Sequence, residues 1–178
     1  MTGQNRNDQA FSELVALMAK LRGADGCPWD KQQTPESLKP FLLEECYEVI
    51  EAIEEGKPDK VREELGDLLF QIVFHARIAE ERGLFSLTDV AASIHEKMVR
   101  RHPHVFGNET ASTTREVLSN WEEIKRKEKS HEHRKSLLEG VPRALPSLLR
   151  AHRLQEKASR VGFDWNHLNE VLPKLDEE

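Results

Sequence analysis

The sequence predicts an all-α fold, a four-to-five-helix bundle, on three observations. Apolar residues recur at three- and four-residue spacing along several segments, aromatic residues make up only 6 % of the chain, and charged residues make up 33 %. This composition argues against β-rich folds. At 178 residues there is room for one ordinary domain with a real core, or for one domain and part of another, but not for two full ones.

The elements follow in order. From about Asp8 to Arg22, Phe11, Leu14, Val15, Met18 and Leu21 keep helical spacing, and Gly23 and Gly26 end the helix. A loop carries Cys27-Pro28-Trp29-Asp30. A second helix runs from near Ser37 to Glu55 and is closed by Gly56 and Pro58. A third extends from about Asp59 to Arg82 and stops at Gly83. A fourth, Ser86 to Arg101, ends before His102-Pro103, because the residue before a proline disfavours helix. Thr113 with Glu116 three residues on is a capping-box signature, opening a helix with Val117, Leu118, Trp121 and Ile124 inward. The charged run Lys125 to Lys135 reads as a solvated helix tail or linker. We therefore expect one domain over residues 1–130. Residues 131–178 then hold a charged linker and the incomplete start of a second repeat, because Gly162-Phe163-Asp164-Trp165 echoes Cys27-Pro28-Trp29-Asp30 and precedes Glu177-Glu178.

The net charge of −6 argues against a general nucleic-acid binder, which needs a clustered Lys/Arg surplus. Cys27 and Cys46 are too few for a disulfide scaffold, and the first ten residues hold no apolar stretch resembling a signal peptide. The longest apolar run, Leu68 to Phe74, is broken by Gln71 and far too short to span a bilayer. A cytoplasmic protein without membrane partners is the expectation.

The chemistry is carried by carboxylates. Glu45 and Glu48 lie i, i+3 on the second helix, and Glu64 and Asp67 lie i, i+3 on the third. Such pairs share a helix face, with Cβ atoms about 5–6 Å apart. Two antiparallel helices can thus set four carboxylates around one point. Acidic pairs on helices also commonly lie on solvated faces, and that alternative stands beside the first. Angular placement weighs between them. At about 100° per residue, Leu42, Cys46, Val49 and Ile53 define the buried stripe of the second helix, with Glu45, Glu48 and Ala52 on its shoulder and Glu51 and Glu55 pointing away. The third helix is apolar over most of its girth through Leu65, Leu68, Leu69, Phe70, Ile72, Val73 and Phe74. Glu64, Asp67, Gln71 and His75 nevertheless form one polar stripe on it, without a Lys or Arg. Carboxylates drawn into a buried helix need cations, hydrogen bonds or protonation, and bound metal is the simplest of these. Oxygen-only donors suit Mg²⁺, with Mn²⁺ as a substitute, better than Zn²⁺. His102 and His104 lack a companion Cys or acidic ligand at suitable spacing and read as loop structure. The apolar girth of residues 65–74 also exceeds what four short helices can cover, which predicts a homodimer sharing that surface.

Lys97 and Arg101, i, i+4 at the end of the fourth helix, are placed either to clasp a polyphosphate or to complement the helix dipole. Trp121 and Lys125 repeat that spacing. They are placed to hold a base and a phosphate, although Trp121 fits a core position equally well.

Five ordered motifs together resemble one known family. Gly26-Cys27-Pro28-Trp29-Asp30, Leu43-Glu44-Glu45-x-x-Glu48, Glu64-Leu65-Gly66-Asp67-Leu68-Leu69-Phe70, Arg100-Arg101-His102-Pro103-His104-Val105-Phe106 and Val161-Gly162-Phe163-Asp164-Trp165 look like MazG, and the likeness covers nearly the whole chain. The resemblance implies an all-α bundle that dimerises, Mg²⁺ at Glu45, Glu48, Glu64 and Asp67, and triphosphate contacts from Lys97, Arg101, Trp121 and Lys125. It implies hydrolysis of nucleoside triphosphates, NTP or dNTP, to monophosphate and pyrophosphate, with which nucleotide-pool house-cleaning or control of alarmone levels is consistent. MazG chains of full length carry two such domains in tandem, whereas this sequence stops at Glu178. The general base is left open, Glu44 being one candidate. Two rivals stand beside this reading: a related metal-dependent phosphohydrolase with a narrow dNTP preference, and a nucleotide-binding helical dimerisation or regulatory module with little or no turnover.

Overall fold

The computed structural model describes residues 3–128, 138–160, 162–165 and 167–177. Their regular secondary structure is helical throughout: α1 Gly3–Leu21, α2 Pro28–Gln32, α3 Pro35–Glu54, α4 Pro58–Glu81, α5 Leu87–Arg101, α6 Pro103–Phe106, α7 Thr114–Lys127, α8 Ser147–Ser159 and α9 Leu168–Glu177. The all-α expectation holds. The chain divides into two compact units, Met1–Arg100 and Arg101–Glu178.

Local chemistry explains most of the boundaries. Thr34 caps α3 by accepting from the Ser37 backbone N–H, while the Ser37 hydroxyl accepts from Thr34 N–H. This box starts α3 at Pro35 instead of near Ser37. Gly56, at φ 66, turns the chain out of α3, and Pro58, read in the sequence as part of a stop, occupies the first turn of α4, where a missing N–H costs nothing. Thr113 and Glu116 form the expected capping box on α7. The segment after Cys27 is a one-turn helix, with Pro28 in its first turn, where a loop was expected. Pro103 likewise opens the short α6. The charged run is described only as far as Glu128, and Lys135 and Glu178 lie outside the described residues.

In the first unit Met18 of α1, Leu38 of α3 and Val73, Phe74 and Ile78 of α4 form the buried core, with Leu14, Leu69, Phe70 and Leu87 packed against it. Phe70 and Phe74, one turn apart, meet edge to face with centroids 6.0 Å apart. Two burial expectations need correction. On α3 the buried residues are Leu38, Val49 and Ala52, whereas Ile53 is 59 % exposed, so the inward stripe is rotated by one position. On α4 only the stretch from Gln71 onward is deeply buried. Leu65 and Ile72 remain 49 % and 41 % exposed, because α1 and α3 cover one side of the helix within a single chain. Leu43, Tyr47 and Ile50 of α3 are exposed as well.

Candidate metal centre and its surroundings

The α3–α4 hairpin builds the site. Lys60, in the first turns of α4, reaches back to Glu51 of α3 and to Glu55, which caps that helix, at 3.5 and 3.6 Å, bracing the turn. Beyond it Glu45 and Glu48 of α3 meet Glu64 of α4. Each offers a carboxylate oxygen, and the three oxygens lie within 4.8 Å of one another. All three residues are half-buried. Asp67 is exposed and outside this trio, but its negative charge reaches both Glu45 and Glu64.

Crowding shows in the electrostatics. Burial holds Glu45 above the usual carboxylate range, reinforced by a hydrogen bond to Glu48 and by the charges of Asp67 and Glu48. Glu64 is raised first by burial and then by Glu48 and Glu63, with Lys60 opposing. The nearby Gln71 amide works the other way, favouring the ionised form of Glu45. Gln71 is only 8 % exposed, and its Oε1 is buried without a hydrogen-bond partner. One turn further along, His75 is half-buried, and its Nε2 is also buried without a partner. Burial lowers the His75 pKa, against an opposing pull from Glu36.

The convergent donors are therefore three carboxylates, all oxygen, with the buried Gln71 amide on the same α4 stripe. They fit a hard divalent cation. Glu44 is exposed on the same helix.

The sequence-proposed phosphate residues divide between the units. Lys97 is half-buried on α5 in the first. In the second, the Arg101 guanidinium forms a two-pronged pair with Glu128, Nε at 3.1 Å and Nη2 at 2.5 Å, and both side chains are nearly buried. Arg101 also lies 5.4 Å from the Trp121 ring centre, and His102 meets that ring edge-on at 4.9 Å. Trp121 is thus flanked by two basic side chains. Lys125 lines a cavity of about 150 Å³ together with Arg153, Lys157, Arg160 and Glu156.

Sequence reasoning missed two groups. Gln71 was seen only as part of a polar stripe. Arg22 was seen only as a helix end, yet its side chain is 7 % exposed and ties three segments together. It pairs with Glu81 at 2.8 Å, donates to the carbonyls of Asp30 and Gln33, and stacks 5.4 Å from the Phe74 ring centre. The Gly-Cys-Pro-Trp-Asp run makes this possible. A Cβ on Gly26 would stand 2.1 Å from the Leu21 carbonyl oxygen, and Cys27 N–H donates to that same oxygen at 2.8 Å. Only glycine lets the chain pass this close.

Residues 33–106 match the family described as the MazG nucleotide pyrophosphohydrolase domain. The chain is 51 % identical over 168 residues to the nucleoside triphosphate pyrophosphohydrolase/pyrophosphatase MazG of Thermotoga maritima, covering 94 % of this chain and 64 % of that protein. It is 47 % identical over 169 residues to the nucleoside triphosphate pyrophosphohydrolase of Escherichia coli, with the same coverage on both sides. The chain thus spans just under two thirds of the length of these relatives. Among solved structures it is similar to the mazG-related protein from Thermotoga maritima, with TM-score 0.56, 28 % identity, and coverage of 65 % of this chain and 99 % of that one.

Proposed function

The chain belongs to the MazG family, and from that premise we propose that it hydrolyses nucleoside triphosphates, NTP or dNTP, to the monophosphate and pyrophosphate. The observation that carries the proposal is the convergence of Glu45, Glu48 and Glu64 from two helices onto one point beside a buried, unsatisfied amide oxygen. Such a group holds a divalent cation, Mg²⁺ with Mn²⁺ as a substitute, and Asp67 completes the ligand set when its exposed side chain turns inward. When bound, the ion neutralises charge on the phosphate oxygens and makes water a better nucleophile. The protein's own groups do the rest. Half-burial of the carboxylates limits competing water, and a carboxylate of the cluster or the adjacent Glu44 orients or deprotonates the attacking water.

Lys97, Arg101, Trp121 and Lys125 are proposed to bind the substrate. The basic lining around Lys125 and the Arg101 guanidinium beside Trp121 support a phosphate-and-base role. The exposed apolar residues of α3 and α4 support a homodimer. No described helix is long and apolar enough to cross a membrane, and nucleotide-pool house-cleaning in the cytoplasm suits the proposed activity. We further propose residues 1–130 as one MazG-type domain and 131–178 as a linker and the start of a second.

One observation favours a rival reading. Arg101 is committed to Glu128, as it would be in a nucleotide-binding helical dimerisation or regulatory module with little turnover. Product analysis over the common NTPs and dNTPs with Mg²⁺ decides between them. Monophosphate plus pyrophosphate supports the proposal, diphosphate plus phosphate contradicts it, and absence of turnover favours the binding module.

A further inference from the structure

Gln71 sits at a position where an apolar side chain would be expected. It is 92 % buried, with the core residues Val73 and Phe74 close by on α4. Leucine, of similar volume, would fill this place without burying an amide. The glutamine instead sets its amide near Glu45, favouring the ionised carboxylate, and leaves its Oε1 buried with no donor. A buried acceptor without a partner is a standing cost to the fold, and native structures rarely keep one without a use. Its place on the helix points to that use. Gln71 lies i+4 from Asp67 and i+7 from Glu64, on the same stripe, and reaches across to the α3 carboxylate that Glu48 and Glu64 also face.

We propose that Gln71 is a positioning residue for the metal centre. Its amide N–H fixes the Glu45 carboxylate in the orientation that meets Glu48 and Glu64, and its buried Oε1 is the acceptor for a donor that arrives only when the site is filled. The inference rests on the metal reading above and assigns a task to a residue outside the carboxylate set. Groups that hold a metal ligand by its second atom typically change metal affinity by about 10–100-fold when removed.

The test uses Mn²⁺ alone as the probe, titrated into the full chain and followed by electron paramagnetic resonance, with metal-free thermal melts alongside. Wild type should bind Mn²⁺, and Glu64→Ala should lose that binding. Gln71→Leu should weaken binding by about 10–100-fold while its metal-free melting temperature stays level or rises, since an unsatisfied buried amide has been removed. Gln71→Met serves as a second apolar replacement of similar reach. A folded Gln71→Leu that binds Mn²⁺ within about twofold of wild type, beside a Glu64→Ala that has lost it, overturns this inference and leaves the metal site standing. Metal-free melting far below wild type in both Gln71 variants assigns the residue to the fold and overturns it too. Wild type that binds no Mn²⁺ sinks the metal reading and this inference together.

Discussion

Replacing Arg22 by Met keeps the aliphatic stem beneath Phe74 and deletes the guanidinium. The side chain is 7 % exposed and contributes three contacts of 2.8–3.1 Å to Glu81, besides its bonds to the Asp30 and Gln33 carbonyls. Breaking a buried pair from one side costs about 3–5 kcal/mol. Glu81 is 29 % exposed and retains Arg77 at 3.0 Å, which sets the expectation near the lower bound, about 3 kcal/mol. For a chain of this size that corresponds to a fall in Tm of about 6–12 °C. Urea unfolding followed by far-UV circular dichroism measures it. The pair also has a pH signature. The hydrogen bond from Arg22 is the first cause of the depressed Glu81 pKa, so its stabilisation is full above the unfolded carboxylate value of about 4.3 and fades as pH falls through the folded one. The gap between wild type and Arg22→Met should narrow in acid. A loss under about 1 kcal/mol at neutral pH, unchanged in acid, would refute the clamp.

Glu64→Ala and Asp67→Ala should each abolish turnover while helicity and oligomer size stay close to wild type, and full activity in both would sink the proposed site. Because Glu45 and Glu64 are raised above the usual carboxylate range, the metal-free fold takes up protons more readily than the unfolded chain and gains stability as pH falls through those values. Mg²⁺ competes with the same protons, so the rise in melting temperature that it gives should shrink with acidity; a pH-independent rise counts against these ligands. Lys97→Ala should lower turnover by orders of magnitude without a large change in melting, since a charge-assisted hydrogen bond is worth about 1.5–3 kcal/mol. Arg101→Ala should lower both, because it also strands Glu128, and unchanged kcat/KM in either would assign that residue to structure. Light scattering should give a dimer at micromolar concentration, and a monomer mass would remove the shared surface.

Much of the fold was legible because its signals are local. Periodicity marked the long helices, Thr113 with Glu116 announced the start of α7, and Gly83, at φ 67, ends α4 where the glycine stood in sequence. The Thr34 box was missed because its third helical residue is Ser37 instead of Glu or Gln. The helix at Pro28–Gln32 is too short to hold a period. The carboxylate trio could be read because i, i+3 spacing fixes a face. Arg22 with Glu81, and Arg101 with Glu128, join residues distant in sequence, and pairing of that kind leaves no local trace. The one-residue rotation of the α3 stripe comes from tertiary packing, since α4 approaches the Leu38–Val49–Ala52 side.

The hairpin that carries the site has a consequence for the order of folding. Glu45, Glu48, Glu64 and Gln71 belong to two consecutive helices joined at Gly56, so every contact among them closes over a short stretch of chain. Short-range closure is entropically cheap and fast. As the polypeptide leaves the ribosome, these four groups can meet before residues beyond Glu81 have emerged. Crowded negative charge opposes that meeting, and a divalent cation reverses the opposition. The ion that we propose for catalysis would therefore also favour the nascent hairpin, and the folding rate of the isolated first hundred residues should rise with Mg²⁺ at concentrations that leave a Glu64→Ala chain unaffected.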